Sequence, residues 1–524
     1  MKDQRTSVNR PWPGWAARML DSAAFSIEHH QTLLLCAFSA IFLIVCSLIS
    51  ATKLMWFDEM ATYYPARFLS WPDMLAFFGQ GLDVHTPTAS IVLRASMKFL
   101  GDSPVTNRLP FAIGYLVMCL CIFRFVSRRC PAVYAAAAMI FPAVTSVFYY
   151  ATEIRSYGLL LGLTGVALVC WQAASEGKSR AIAVPGLFLS LVAALCCHYY
   201  AAFLWIPFGL AEITRAWMRK RPDLPVWLAL LLSPAILLVF VPAIRAARSN
   251  YLAGMWAKPN LGQIENAYRS MLTLSFAPIL GGVILLLLLV PRFSRPADTP
   301  SRPPLPERVL VGALALVPAI VVPFSYLIGA YVVRYSLYSI AGISIFLAFA
   351  VCWMFKGDLI PGFLLAAFFL VWFVAKNEAL VKLQMAQNGG IRTPLAQPFQ
   401  TSSWMRALDG NSLPVMATPA VFFMQLQHYA PDPVRSRVIY AADEALALEY
   451  DGIYTGETNL LSFSRMLPLR VTHFDDFLTA HPHFLLAAET TNPTWHIPAL
   501  QKRGAVIRFV NRFGTYFVFD VTLP

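Results

Sequence analysis

The chain has 524 residues, 58% of them hydrophobic and 13% charged, with a formal net charge of +13; its mean hydropathy is +0.58. A soluble globular domain is about half apolar and about a quarter charged, so the composition excludes that class and indicates a polytopic membrane protein. The excess of Lys and Arg is no nucleic-acid signal, because it sits in short loops between apolar runs, where positive charge sets membrane orientation. The nine cysteines lie in or beside apolar runs, none beyond Cys352, with no CxxC and no Cys/His metal spacing. They read as small buried hydrophobes, and the polar tail has no disulfide framework.

Residues 1–30 read as a basic, polar cytoplasmic segment with no cleavage site of a signal peptide. The length rule for spans, about 20 apolar residues, predicts about eleven membrane helices. They run Gln31–Ala51, Asn107–Val126, Ala132–Tyr150, Tyr157–Ala173, Ala181–Cys197, Tyr199–Trp217, Leu224–Ile244, Met271–Val290, Val309–Ile328, Tyr335–Phe355 and Leu359–Ala375. The basic loops at Arg128–Arg129, Lys178–Arg180, Arg215–Arg221 and Arg292–Arg308 then share a side with Lys2, Arg5, Arg10 and Arg18, which makes that side cytoplasmic. Within the last of these loops, Ser294–Pro306 reads as a Pro-rich flexible connection. The first outer loop, 52–106, is too polar to span and holds amphipathic pieces at Met74–Phe78 and Ile91–Leu100.

Beyond the membrane domain of 31–376 the composition changes. Residues 377–524 carry strand-like runs at Leu413–Ala417, Arg437–Tyr440, His483–Ala487, Val506–Val510 and Tyr516–Val521, with helical patterns at Ala420–Tyr429 and His496–Arg503. Alternating strands and helices predict a small α/β domain. Arg503–Phe519 reads as a closing hairpin around Asn511–Gly514, and the odd span count puts this domain outside the cytoplasm.

Chemistry-bearing residues collect on the outer side. Asp58-Glu59 sits among Trp56, Phe57, Tyr63 and Tyr64 directly after the first span, where an acidic pair is costly unless it meets water or a partner. Asp83-x-His85-x-Pro87 follows, then Gly101-Asp102-Ser103, Arg108-Leu109-Pro110, Glu153-x-Arg155-x-Tyr157, His198-Tyr199, the group Arg245, Arg248, Trp256 and Lys258, and Arg334-Tyr335. Arginine binds phosphate with a planar fork, and a carboxylate can act as general base toward a hydroxyl, so the set suits a lipid-borne phosphate substrate. Each piece also has a plainer reading. Asp58 or Glu59 can cap a helix, Glu153 and Arg155 can pair locally, His198 can be a hydrogen-bonded interfacial histidine, Gly101-Asp102 a turn, and Arg334 a snorkelling arginine. A transporter or flippase would line a pathway with such charges, but it commonly shows repeated halves and mid-depth polar sites. Neither is visible.

In this order the motifs resemble the GT-C superfamily, in its protein mannosyltransferase and lipid A aminoarabinose transferase-like branch (glycosyltransferase family 39-like). The resemblance covers Gln31–Phe355 and departs at His85-Thr86-Pro87, where the family more often has His-Pro-Pro. It implies an all-α polytopic domain with a small extracytoplasmic α/β domain, in a bacterial inner membrane. It further implies transfer of a sugar from a polyprenyl-phosphate donor to an acceptor hydroxyl on a glycolipid, polysaccharide or protein, with inversion at C1. Asp58 would be the base, paired with Glu59 in the catalytic set. Arg155, Arg334 and Lys258 would meet the phosphate, and Asp83, His85, Arg108, Glu153, Tyr157, His198, Tyr199 and Tyr335 would shape the substrate site. Some relatives bind a divalent metal near the acidic pair; here Asp58, Glu59 and His85 are the residues it would use.

Overall fold

The protein is described by a computed structural model over residues 14–251, 257–289, 302–388, 407–408, 410–489, 494–513 and 515–524. Lys2, Arg5, Arg10, Trp256, Arg292, Arg295 and Gly514 lie outside the described residues, as does 294–301 of the Pro-rich connection.

Helix occupies each of the eleven apolar runs. Among the described residues, seven helices are long and apolar enough to cross a membrane, and two bent pairs raise the number to nine. The pairs are Ala132–Val144 with Ser146–Thr152, bent by 76°, and Leu305–Ala315 with Val317–Ile328, bent by 55°. The other two runs hold the shorter helices Trp205–Arg219 and Ser339–Met354, of 15 and 16 residues. Both are shortened by 3₁₀ turns, at Tyr199–Leu204 and Val333–Ser336, which carry the polar residues of the outer motifs. The span expected to end at Ile244 continues as helix to Tyr251, so Arg245 and Arg248 are exposed on that helix and not in a loop.

Small residues set how tightly the bundle closes. A Cβ at Gly158 would lie 2.2 Å from the Phe111 carbonyl oxygen, and one at Gly162 would lie 2.4 Å from that of Gly114. Helices Pro104–Val126 and Tyr157–Ser175 therefore meet backbone to backbone, as small residues one turn apart allow. This contact fixes Arg108 and Arg155 on adjoining helix ends. At the opposite end, Glu28 on helix Gly14–His29 accepts from the backbone N–H groups of Ala132 and Val133 (2.9 and 3.0 Å) and caps helix Ala132–Val144. The basic loops there are neutralised in part: Arg128 pairs with Glu176 at 3.2 Å, Arg129 bonds Glu307 at 2.9 Å, and Arg180 reaches Asp223 at 2.6 Å. All nine cysteines are free; Cys36 is exposed on the first membrane helix, contrary to the buried reading.

The first outer loop folds into helices Phe57–Phe68, Trp71–Gly79 and Thr88–Leu100. Met74, Phe77 and Phe78 turn inward while Trp71 and Leu75 stay exposed, the predicted amphipathic pattern. Gly101, at φ +86°, ends the third helix in a backbone conformation that suits glycine. Ser103 and Thr106 then cap the next helix reciprocally, at 3.2 and 3.0 Å.

The C-terminal region is a six-stranded sheet in the order β3-β2-β1-β4-β6-β5. Its strands are β1 Val415–Thr418, β2 Val438–Ala442, β3 Val471–His473, β4 His483–Glu489, β5 Val506–Phe513 and β6 Tyr516–Thr522. β1 to β4 run parallel, and β6 pairs antiparallel with both β4 and β5. The predicted hairpin is β5–β6; β3, three residues long, had too little pattern to be read. Side chains alternate between two cores: Val415, Ala417 and Tyr440 face the first outer loop, whereas Met416, Ala441 and Phe484 face away. The domain is seated on that loop. The Tyr429 hydroxyl takes the Met55 N–H at 2.9 Å, Gln425 donates to the Met55 carbonyl at 3.2 Å, and Phe463 packs on Phe57 and Phe77 with ring centroids 6.3 and 5.5 Å apart.

Candidate active site

Asp58 and Glu59 open helix Phe57–Phe68, whose preceding residue Trp56 gives its backbone N–H to Glu59 at 3.4 Å. Successive helix positions point about 100° apart, so the two carboxylates diverge.

Asp58 faces a cleft lined also by Asp83, His85, Arg155, Arg334 and Tyr335. Its Oδ2 lies 3.1 Å from Arg334 Nη1 and 3.8 Å from Arg155 Nη2. Loss of water alone would raise its pKa, but the two guanidiniums outweigh this and hold the carboxyl below its usual range. Arg155 is locked from behind: Nη1 donates to the Asp58 carbonyl and to Thr62 Oγ1, both at 3.1 Å. Asp83 Oδ1 meets both the backbone N–H of His85 at 2.9 Å and its Nδ1 at 2.7 Å. Nδ1 therefore carries the proton, and Nε2 accepts from Arg155 Nη2 at 2.6 Å. Burial first, then Arg155, lower the His85 pKa, which keeps the imidazole neutral. Tyr335 joins this wall through His198, at 4.9 Å between ring centroids, and Tyr157 lies 5.6 Å from the same imidazole. His198 accepts the Tyr200 N–H on Nδ1 at 3.1 Å, and burial holds its pKa well below normal.

Glu59 points the other way and is fully buried. Arg108 grips it with both prongs, Nε to Oε1 at 2.8 Å and Nη2 to Oε2 at 3.1 Å, and the Ile154 N–H adds a third bond at 3.1 Å. Lys53 stands 3.9 Å from both Glu59 and Glu153 and donates to the Thr152 carbonyl at 3.1 Å. Among the described residues neither carboxylate oxygen of Glu153 accepts a hydrogen bond of good geometry. Burial raises its pKa to about 7, against the pull of Lys53.

The structure thus divides the sequence-selected residues. Asp58, Asp83, His85, Arg155, Arg334 and Tyr335 share the cleft, with Tyr157 and His198 packed behind them. Glu59, Arg108 and Glu153 form a separate buried cluster. Tyr199 packs on Phe240, ring centroids 5.8 Å apart, and Lys258 is exposed; neither lines the cleft. The divalent-ion arrangement does not fit these residues, since Glu59 is spent on Arg108 and Asp58 faces two guanidiniums. Among the described residues no group of three His, Cys, Asp or Glu converges as metal ligands would.

Two features escaped the sequence reading. Lys53 forms the cationic centre of the buried cluster; its signal was a lone lysine between a span and an acidic pair. Thr455, Asn459 and Phe463 from the C-terminal domain form one side of the cleft. They lie four residues apart on helix Thr455–Phe463, a spacing indistinguishable in sequence from ordinary packing.

A helical membrane bundle, its loops gathered over a charged cleft and a small α/β domain seated on them, is a fold already seen in solved structures. Solved structures that carry it include two of ArnT. One is ArnT from Cupriavidus metallidurans bound to undecaprenyl phosphate, with a TM-score of 0.56 and 13% identity over 93% of this chain and 98% of that one. The other is the same organism's ArnT in the apo state, with a TM-score of 0.58 and 11% identity over 94% and 97%. No family model and no curated protein matches the chain. At these identities the likeness is one of fold.

Proposed function

We propose that this protein is a membrane glycosyltransferase that takes a sugar from a polyprenyl-phosphate donor and passes it to an acceptor hydroxyl on a glycolipid, polysaccharide or protein. The supporting fold is shared with an ArnT solved with undecaprenyl phosphate. The observation that carries the reading is Asp58, with Oδ2 3.1 Å from Arg334 and 3.8 Å from Arg155 in an open cleft. Polytopic transporters also bury charges, but nothing in this cleft favours a pathway over a one-sided site.

In the proposed reaction the donor phosphate enters beside Arg334 and Arg155. Arg334 is half-buried, and its stem can lie in apolar surroundings while the guanidinium meets a phosphate at headgroup depth. As Arg334 turns from Asp58 to the phosphate, the carboxylate regains basicity. Asp58 then takes the proton of the acceptor hydroxyl, whose oxygen forms the new bond at C1. The C1–O bond to phosphate breaks on the opposite side, inverting the anomeric carbon, and its electron pair leaves on the polyprenyl phosphate. Charge grows on that phosphate in the transition state, where the two guanidiniums stabilise it most. Asp83 and His85 hold Arg155 in place. Glu59 and Arg108 brace the helix that carries Asp58.

The site and the domain of 377–524 are placed on the outer face of a bacterial inner membrane, following the basic loops. The test is transfer by purified protein in nanodiscs from a polyprenyl-phosphate sugar to extracted envelope glycolipids, glycans and proteins. The expected product has the anomeric configuration opposite to the donor. Retention, or no transfer to any acceptor class, overturns the proposal.

A further inference from the structure

A second cavity, of about 380 Å³, opens within the C-terminal domain. This lies within the ordinary range for small-molecule sites, about 300–1,000 Å³. Its position follows from the sheet. In the parallel part, β1 has β2 on one side and β4 on the other, so the connections diverge at the end of β1. Open parallel sheets bind ligands at the carboxyl ends of their strands, where such a divergence leaves a crevice. Thr418 ends β1 and lines this cavity, with Thr494 from the loop after β4.

The lining is built and polar. His496, 1% exposed, donates from Nε2 to the Ala441 carbonyl (2.8 Å), which leaves Nδ1 to accept from one of the Thr418 and Thr494 hydroxyls (2.9 and 2.8 Å away), themselves 2.7 Å apart and bonded to each other. Burial lowers its pKa to about 3, so the ring is neutral. Glu457, 6% exposed, uses Oε1 for both the Tyr440 hydroxyl (2.6 Å) and the Trp495 indole N–H (2.8 Å), and among the described residues Oε2 receives no bond from another residue. Tyr450 and Asp451, both half-buried, complete the rim.

This chemistry selects the ligand. Crevices of this kind often hold phosphate at a helix N-terminus, and helix Ala420–Tyr429 does begin here. Yet the lining includes two carboxylates, Asp451 and Glu457, and no Lys or Arg, so an anion would be repelled. Carboxylate oxygens that accept, threonine hydroxyls that donate and accept, and an aromatic face suit a ring edged with hydroxyls and faced with C–H groups.

We propose that this crevice is a second binding site, for an uncharged, hydroxyl-rich ring: a neutral hexose unit of a glycan. The site is tied to the cleft by helix Thr455–Phe463. Its first turn gives Gly456 and Glu457 to the crevice, while Thr455, Asn459 and Phe463 face Asp58. A sugar bound here therefore steadies one wall of the cleft.

Occupancy of this site can be read without the transfer reaction, by binding alone. Full-length protein in nanodiscs is titrated with neutral hexose di- and trisaccharides, and separately with inorganic phosphate, by calorimetry and saturation-transfer NMR. The expected result is saturable saccharide binding without phosphate binding. Tyr450→Ala and Asp451→Asn each weaken it about tenfold, the effect of losing one good contact. Asn459→Ala, on the cleft side, leaves it unchanged. Unaltered melting temperatures show that the half-exposed variants fold. Absence of saturable saccharide binding, preference for phosphate, or wild-type affinity in both rim variants overturns the proposal.

Discussion

Asp58 and Glu59 are neighbours in the chain and opposites in environment. Asp58 stands at the cleft, facing the guanidiniums of Arg334 and Arg155. Glu59 is sealed, with every prong of its partner engaged and a lysine beside it. One arrangement leaves charge available for chemistry; the other spends it on holding helices Phe57–Phe68 and Pro104–Val126 together. The comparison teaches that an acidic pair near a membrane need not act as a pair.

Substitution separates the two roles. Asp58→Asn keeps shape and loses proton acceptance, so transfer should fall about 10²–10⁴-fold with an unchanged melting temperature. Near-normal turnover would reduce Asp58 to a helix-end residue. Arg108→Leu should do the reverse in kind, because it leaves Glu59 buried without its main partner. Breaking such a pair costs about 3–5 kcal/mol, read as a large drop in thermal stability in detergent. A stable but inactive Arg108→Leu protein would mean that the buried cluster touches substrate after all.

Arg334→Ala should lower the rate of transfer about 10²–10³-fold, the scale for removing one transition-state donor. Arg334→Lys, which keeps charge and loses the fork, should fall between it and wild type. An Ala variant with wild-type rate and donor affinity would make Arg334 a snorkelling residue and move the phosphate toward Arg155.

The smallest effect is on pH dependence. Glu153 in the folded protein titrates near 7, against 4.5 for the ordinary side chain. The unfolded chain therefore releases this proton first, and stability declines as pH rises from 4.5 to about 7, then levels. Glu153→Gln should flatten that slope, measured as melting temperature against pH. An unchanged slope would assign the pH dependence to another group.

Much of this was legible in one sequence, and for identifiable reasons. Apolar runs are long because a bilayer is thick, so every predicted run contains helix. The hairpin at the end of the chain and most of the sheet declared themselves through alternation. Where helices stop was harder. The run expected to span from Tyr335 begins with a 3₁₀ turn instead, because Arg334 and Tyr335 are held toward the cleft. Cleft membership was harder still: Lys258 and Tyr199 share the outer loops with Arg334 but point elsewhere, and Asn459 comes from a domain with no motif.

The sequence by itself determined the membrane class, the positions of the helices, the α/β character of the tail and the residue types gathered on the outer loops. These follow from local patterns of hydropathy and charge that each segment carries alone. Only the tertiary structure decided that Asp58 meets Arg334 across more than half the chain, that Glu59 turns inward to Arg108, and that the C-terminal domain walls the cleft. Those outcomes depend on close packing at Gly158 and Gly162 and on which face of a short helix points where. A rotation of 100° per residue separates a charge in the cleft from one in the core, and no single segment holds that information.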